Sequence, residues 1–480
     1  MKAFCQRYSK RKAKSRRRER YLLTKQIVVL KRKLAKGCKV AGLLQKAYAS
    51  LKALVSSEYE RQKVISRARW IEEGEKPTQF FFSLAKEHGK SSTIKILKDD
   101  NDVEYTSQTD KCAVIRDFYV SLFQEEPVDT DIQKELLDKI NVSLADDMAD
   151  ICEGLLSVEE INSAMASMSL GKAPGEDGLT LEFFKYFSEA LAPIIVCLAN
   201  QCFDSGALPT DSVRGIIRLA FKKGDRADLR NWRPISLLNL DYKIIAKALC
   251  TRLKAVMGEI VNFDQTCSVK GRRISDNLNL IRDTLDHMEA TNECGIVISL
   301  DQEKAFDRVD RKFLDLTLAK FGFKNDFRKW IKVLYNGACA RVICNGGLTD
   351  SFDLEKGIRQ GCSLSPLLYV LVAEVLAQNV RACKDIHGIL VPGSGGLATN
   401  SSQYADDFTA IVKDVRSVGR LLDVVDLYGK GTGARLSRKK SEAMWAGGYR
   451  GRKDKPWSLK WVTRMKILGV WFGDNVEDEL

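Results

Sequence analysis

Apolar and polar positions change period several times along the chain, and each change predicts an element. Gly295 to Leu300 is a continuous apolar run that ends at Asp301 and reads as a buried strand. Gln403 to Val412 places two short apolar runs on either side of Asp406-Asp407, a pattern that predicts a tight β-hairpin with both acids at its turn. A Gly/Ser/Asn-rich segment, 393–402, leads into it. Val213 to Phe221 alternates as a strand and passes through Lys222-Lys223-Gly224-Asp225 to Asn231–Leu238, a second hairpin. Helical spacing is found at Val40–Val55 and at Asp241–Met257, the latter with Ile244, Ile245, Ala248, Leu249, Leu253 and Val256 inward. Thr180 is expected to cap a helix over Leu181–Phe187, and Asp310 one running to about Phe321. Ser365 is expected to cap a helix that has Pro366 at its first position and a stripe of Leu367, Leu368, Leu371, Val372, Val375 and Leu376. Phe352–Leu354 reads as a short strand, and residues 99–160 as acidic, polar and helical.

Charge sharpens this picture more than bulk composition does. Length and 45% hydrophobic residues allow about three domain-sized units with a sizeable core. The net charge of +14 is concentrated: residues 1–40 hold sixteen Lys/Arg and one acid, Glu19, while the other 440 are nearly balanced. Such an arm attracts nucleic acid or serves as a nuclear import signal, and a solvated tail is the plainer alternative. Thirteen cysteines without a C-x-x-C pair argue against a disulfide framework or zinc knuckle and for a reducing compartment. No run of 18 apolar residues occurs, and Leu364–Ala377, the longest candidate, contains Glu374. No apolar leader follows the basic start. The expectation is an intracellular protein, nuclear or cytoplasmic, neither secreted nor membrane-spanning.

Adjacent carboxylates repel, so Asp406-Asp407 is costly unless water or a cation neutralises it. An ordinary solvated turn also accommodates two aspartates. Asp301 changes the balance, because a third acid in a similar setting lies 105 positions away and only a folded sheet could bring it near. Three carboxylates at the ends of neighbouring strands are the oxygen-donor set for two Mg²⁺ ions in phosphoryl transfer.

Tyr404-Ala405-Asp406-Asp407, with Asp301 followed five residues later by Phe306, resembles the palm of a reverse transcriptase. Further strings resemble LINE-type (non-LTR) retrotransposon enzymes in the same order. These are Arg67–Thr78 with Phe80-Phe81-Phe82, Leu170–Leu179, Gln265–Arg273, Gly357–Gly361, Gly431–Glu442 and Lys466–Gly473. The resemblance implies an α+β fold of fingers and a palm with an antiparallel central sheet. It implies an arm and long helix over 1–66, an N-terminal extension over 67–170, fingers over 171–290 and a palm over 291–480. With seven residues after Gly473, it also implies a largely missing thumb.

The activity implied is RNA-directed DNA polymerisation, with an RNA template, a DNA primer or target, and dNTPs as partners. Asp301, Asp406 and Asp407 would hold two Mg²⁺, with the Gln302 carbonyl adding a ligand. The resemblance places Lys222, Arg233, Phe306, Gln360 and Lys440 around the nucleotide, and Lys270, Arg272, Gly361, Leu468 and Gly469 along template and primer. Two positions depart from the family pattern: Thr266-Cys267, where Gly is usual second, and Ser437, where Asn is common. The rival readings are a non-catalytic nucleic-acid-binding relic and an RNA-dependent RNA polymerase. Phe306 weighs against the second, because a bulky ring there crowds a ribose 2′-hydroxyl.

Overall fold

A computed structural model of the chain describes residues 93–99, 101–391 and 398–474, with scattered positions between 22 and 50. Two compact units divide the chain, 1–82 and 83–480. In the first, every described position is helical. The basic arm, most of the Val40–Val55 face and the Arg67–Phe82 stretch lie outside the described residues.

The second unit contains two five-stranded sheets. In chain order its main elements are α1 (Gln108–Phe123), β1 (Arg214–Phe221), β2 (Trp232–Leu237), α2 (Leu240–Ile260), α3 (Ile274–Thr291), β3 (Cys294–Leu300) and β4 (Cys339–Cys344). There follow α4 (Ser365–Ala382), β5 (Ser401–Tyr404), β6 (Asp407–Val412), α5 (Val415–Thr432), β7 (Glu442–Gly447), β8 (Lys460–Trp461), β9 (Arg464–Ile467) and β10 (Val470–Gly473). One sheet runs β5-β6-β3-β7-β8, antiparallel except for the β7–β8 edge. The other runs β2-β1-β4 and then Gly347–Leu348, with Phe352–Asp353 also paired to β4. There β1 and β2 form the antiparallel hairpin, and β1 and β4 are parallel.

The apolar run of β3 follows from burial on both faces. Ile296, Ile298 and Leu300 enter the main core with α2 and α4, whereas Val297 enters a smaller core with Ile281, Met288, Ile411 and Met465. Phe408, Ala410 and Val412 of β6 join the first core, and Ile411 joins the second. Gly295 is needed where β3 begins, since a Cβ there would lie 2.4 Å from the sulfur of Met288. The second core also takes Ile467 and Phe472, so the β9–β10 hairpin packs on that side of the sheet. A third core joins α1 to the β1–β2–β4 sheet through Ile115, Tyr119, Ile217, Trp232 and Val342.

Two local expectations need correction. Ser365 is the first residue of α4 rather than its cap; Leu364 holds that position and no side-chain bond closes the end. The helix is also buried on every face, not along one stripe, because α5, Arg311–Lys320 and Thr130–Asp138 all pack against it. Asp310 does cap its helix, accepting from the N–H groups of Lys312 and Phe313. Every described cysteine is a free thiol. No helix among the described residues is long and apolar enough to cross a membrane.

Candidate active site

The strands bring the three aspartates to one end of one sheet. β3 ends at Leu300, which pairs with Phe408 of β6, and continuing that antiparallel register by one residue sets Asp301 opposite Asp407. Tyr404 pairs with Asp407, leaving Ala405 and Asp406 as a two-residue turn. Ala405 takes a positive φ of 54° there. The backbone of Asp301 is clamped from behind. Its N–H donates to Ser441 Oγ at 3.2 Å, and its carbonyl accepts the Ser437 N–H at 2.8 Å. Glu303 N–H reaches the Arg435 carbonyl at 2.8 Å, so Gln302 sits between two backbone ties that leave its own carbonyl out.

Asp406 and Asp407 retain exposed surface, yet the protein around them removes part of their water. That desolvation is the main force raising both carboxyls above the usual carboxylate range. Asp301 raises both further, and Asp406 does the same to Asp407; Lys222 and Arg233 pull in the opposite direction. The two cations belong to the β1–β2 hairpin, both exposed, and lie close enough for their charge to act on the carboxylates. Among the described residues, no group of three or more His, Cys, Asp or Glu side chains is drawn closely enough together to hold a metal ion.

Phe306 lies five residues beyond Asp301, half-buried, its ring stacked on Tyr369 of α4 at 4.7 Å between centroids and 14° between planes. Tyr369 in turn donates its hydroxyl to Gln302 Oε1 at 3.0 Å. Gln360 donates Nε2 to both oxygens of Asp307, at 3.0 and 3.1 Å, and its carbonyl accepts the Ser236 N–H of β2 at 2.7 Å. Asp307 is wholly enclosed, and burial pushes its carboxyl up to about 7 against the pull of Lys304, Gln360 and Arg308. Gly361 has φ 112°, and a Cβ on it would lie 2.7 Å from the Ser236 carbonyl oxygen. Lys440 is exposed beside the Ser437–Ser441 turn.

Further out, Lys270 lines an open groove of about 460 Å³ with Thr251, Lys254 and Ser268. Arg272 turns inward instead, donating to the carbonyls of Val261, Asn262 and Gln265. Leu468 and Gly469 form the tip of the β9–β10 hairpin, both with positive φ, 49° and 91°.

The profile of the family described as "Reverse transcriptase (RNA-dependent DNA polymerase)" matches residues 221–472, just over half of the chain and all of the geometry above from Lys222 onward. The chain belongs to the reverse transcriptase family. A *Xenopus laevis* protein, "Transposon TX1 uncharacterized 149 kDa protein", is 32% identical over 98% of this chain and 36% of its own length. The "Retrovirus-related Pol polyprotein from type-2 retrotransposable element R2DM" of *Drosophila melanogaster* is 26% identical over 56% of this chain and 24% of its own length. The "RNA-directed DNA polymerase from mobile element jockey", also from *Drosophila melanogaster*, is 25% identical over 55% and 28% respectively. The chain therefore spans about a third or less of these relatives. With them it belongs to the LINE-type (non-LTR) reverse transcriptase family. The family implies a fingers–palm fold, and the mixed helix-and-sheet architecture agrees with it.

Both departures from the reverse transcriptase pattern have a local explanation. Ser437 holds Asp301 through its backbone N–H, a contact that an Asn would make equally. At Thr266-Cys267 the positive φ falls one residue later, on Ser268 (62°), so Cys267 can be buried without strain. Four residues near the site were not singled out from the sequence: Gln265, Asp307, Tyr369 and Ser441. Tyr369 stood inside an apolar helix and Ser441 inside a basic turn, where neither has a periodic signal. Asp307 sits two residues before Val309 in a segment read only for Asp301 and Phe306.

Proposed function

We propose that this chain catalyses RNA-directed DNA polymerisation, joining a dNTP to a primer 3′-hydroxyl opposite an RNA template. The observation that carries the reading is the strand register that brings Asp301, Asp406 and Asp407 to the same end of one sheet, within electrostatic reach of Lys222 and Arg233. The donor set fits a hard divalent cation: oxygen ligands only, with the Asp406 and Asp407 carboxyls raised chiefly by desolvation and further by their acidic neighbours, a cost that a cation relieves. Asp301, Asp406 and Asp407, with the Gln302 carbonyl, would hold two Mg²⁺. When bound, such ions lower the pKa of the attacking hydroxyl and stabilise the leaving pyrophosphate.

The chain's own groups supply the rest. Lys222 and Arg233 neutralise the incoming triphosphate, Arg233 by paired N–H donors. Lys440 lies on the leaving-phosphate side. Phe306 closes the space beside the sugar C2′. Asp307 engages the Gln360 amide nitrogen, so Gln360 presents its carbonyl oxygen to the nascent pair. Lys270 and the Gly361 turn border the template, and Arg272 acts there by fixing the loop. Leu468 and Gly469 bear on the primer. In this reading residues 171–290 serve as fingers and 291–480 as palm, with 1–66 and 67–170 as arm and extension.

Primer extension on poly(rA)/oligo(dT) with Mg²⁺ tests it. The wild-type chain extends, and Asp406→Asn loses several orders of magnitude in rate with an unchanged melting curve, each 1.36 kcal/mol of lost stabilisation being about tenfold. A wild-type chain that binds primer–template and never extends it would leave the relic reading as the better one.

A further inference from the structure

The edge strand that leads into the aspartate turn is covered by a loop that copies a strand. Gln265 bridges Gln403 of β5 in parallel, Gln403 N–H donates to the Asp264 carbonyl at 2.8 Å, and Thr266 N–H donates to the Gln403 carbonyl at 3.2 Å. Asn277 of α3 secures both partners, donating Nδ2 to the Asp264 carbonyl of the loop at 3.2 Å, and to Ser402 Oγ at 2.8 Å and the Gln403 carbonyl at 3.0 Å in β5. The loop is anchored in turn. The Asp264 carboxylate pairs with Arg381 of α4 at 2.8 and 3.0 Å and accepts from Ser401 Oγ at 2.7 Å.

From this brace one side chain reaches the turn itself. Gln265 is fully buried, and its Oε1 accepts two backbone N–H groups, Cys267 at 3.0 Å and Ala405 at 3.1 Å. Both partners are donors, so only the amide oxygen can face them and the rotamer admits no flip. Nε2 is left without a protein partner, as is Nε2 of the neighbouring Gln403. Ala405 needs the support. It is the first residue of a two-residue hairpin turn and has positive φ, where Gly is the usual choice and a Cβ is unfavourable. Without an acceptor on its N–H, the turn would relax toward conformations that move Asp406 away from the end of β3.

We propose that Gln265 is a positioning residue for the reaction: its amide oxygen holds the Ala405-Asp406 turn and thereby sets Asp406 against Asp301. The proposal takes from the polymerase reading only the importance of Asp406; the brace stands on its own geometry.

Two measurements on the full chain decide it. The first is residue-resolved hydrogen exchange by mass spectrometry on the wild-type protein. Ala405 N–H is expected to be protected at least about tenfold beyond an open turn amide, since one buried hydrogen bond is worth roughly ten- to hundredfold in opening. Exchange at the unprotected rate overturns the proposal without any variant. The second compares Gln265→Met, which keeps length and loses the acceptor, with Gln265→Glu, which keeps an oxygen at that place. Met is expected to expose Ala405 and Asp406 while β3 amides stay protected. It should also lower kcat for primer extension about tenfold or more, raise the Mg²⁺ concentration needed, and leave KM for dNTP nearly unchanged. Glu is expected to retain Ala405 protection. A Met variant with wild-type exchange at Ala405, or a Glu variant that loses protection as fully as Met, overturns the proposal. A wild-type chain that never extends primers overturns the polymerase reading instead, and the exchange data still decide the brace.

Discussion

Removing the Phe306 ring should change which sugar the site accepts, and the structure sets the scale. The ring is held, not merely present: it stacks nearly parallel on Tyr369 at 4.7 Å, Tyr369 is tied to Gln302, and the Phe306 carbonyl accepts the Ile358 N–H at 2.9 Å. An apolar surface that excludes an extra hydroxyl discriminates by roughly 10², about 2.7 kcal/mol. Phe306→Ala should therefore lower the ratio of kcat/KM for dNTP over rNTP by up to about a hundredfold. Tyr369→Leu leaves Phe306 in place and removes the stack, worth about 0.5–1.5 kcal/mol, so the ratio should fall about two- to twelvefold. Tyr369→Phe keeps the ring and should change the ratio less than about twofold, because only the bond to Gln302 is lost. The assay is single-nucleotide incorporation on one primer–template with each sugar in turn. If Phe306→Ala still polymerises and its ratio is that of the wild type, Phe306 is packing and the gate argument is wrong.

Gly361→Ala places a Cβ against the Ser236 carbonyl oxygen, which is backbone and cannot swing aside, at a φ that only Gly adopts readily. The backbone strain alone is about 1–3 kcal/mol, so a lower Tm and slower primer extension are expected; an unaltered melt would show that the turn has room. The buried Asp307 predicts a pH dependence. Its folded pKa of about 7 lies above the unfolded 3.8, so the stability of the protonated form is fully present below about pH 4 and is lost as pH rises through 7. Asp307→Asn, unable to ionise, should gain on the wild type by up to about 1.4 kcal/mol per pH unit across that window and by nothing more above it, read as the Tm difference from pH 5 to 8. A constant difference would place the titration elsewhere.

How much of this was legible in the sequence depended on whether a residue acts through its own side chain. Asp301 and Asp406-Asp407 announced themselves because ionised groups beside apolar runs are unusual, and the β3 and β5–β6 patterns gave their places directly. Lys222 and Arg233 were legible as cations flanking a hairpin tip. Contacts that act through the backbone left no such mark: Ser437 holds Asp301 by its N–H, which every residue but proline has. The all-round burial of α4 was equally hidden, since an apolar stripe and an apolar cylinder begin with the same leucines. Gln265 shows the limit most clearly. Its residue type fits a surface turn, and only the parallel bridge to Gln403, 138 positions away, makes it a buried acceptor. The inward turn of Arg272 has the same origin: an arginine in a basic loop looks like a phosphate ligand until the carbonyls at the end of α2 are seen to need donors.

The approach of the cation-bearing hairpin to the aspartates follows from backbone contacts more than from side-chain choice. Lys304, at a positive φ of 51°, donates Nζ to the Trp232 carbonyl at 2.8 Å, tying the segment after Asp301 to the first residue of β2, next to Arg233. The Gln360 carbonyl takes the Ser236 N–H of the same strand, and the amide of Gln360 returns to Asp307. The β1–β2 hairpin is thus pinned at two points to the turn that carries the catalytic strand out of its sheet. The field of Lys222 and Arg233 offsets part of the repulsion that Asp406 and Asp407 feel from their acidic neighbours. In the proposed reaction, cations carried on a pinned hairpin would need less reorganisation when a triphosphate enters. It also explains why Asp307 is kept in a place where burial disfavours its charge. An apolar residue there, with no acceptor, would free the Gln360 side-chain amide that stands behind one of the two pins.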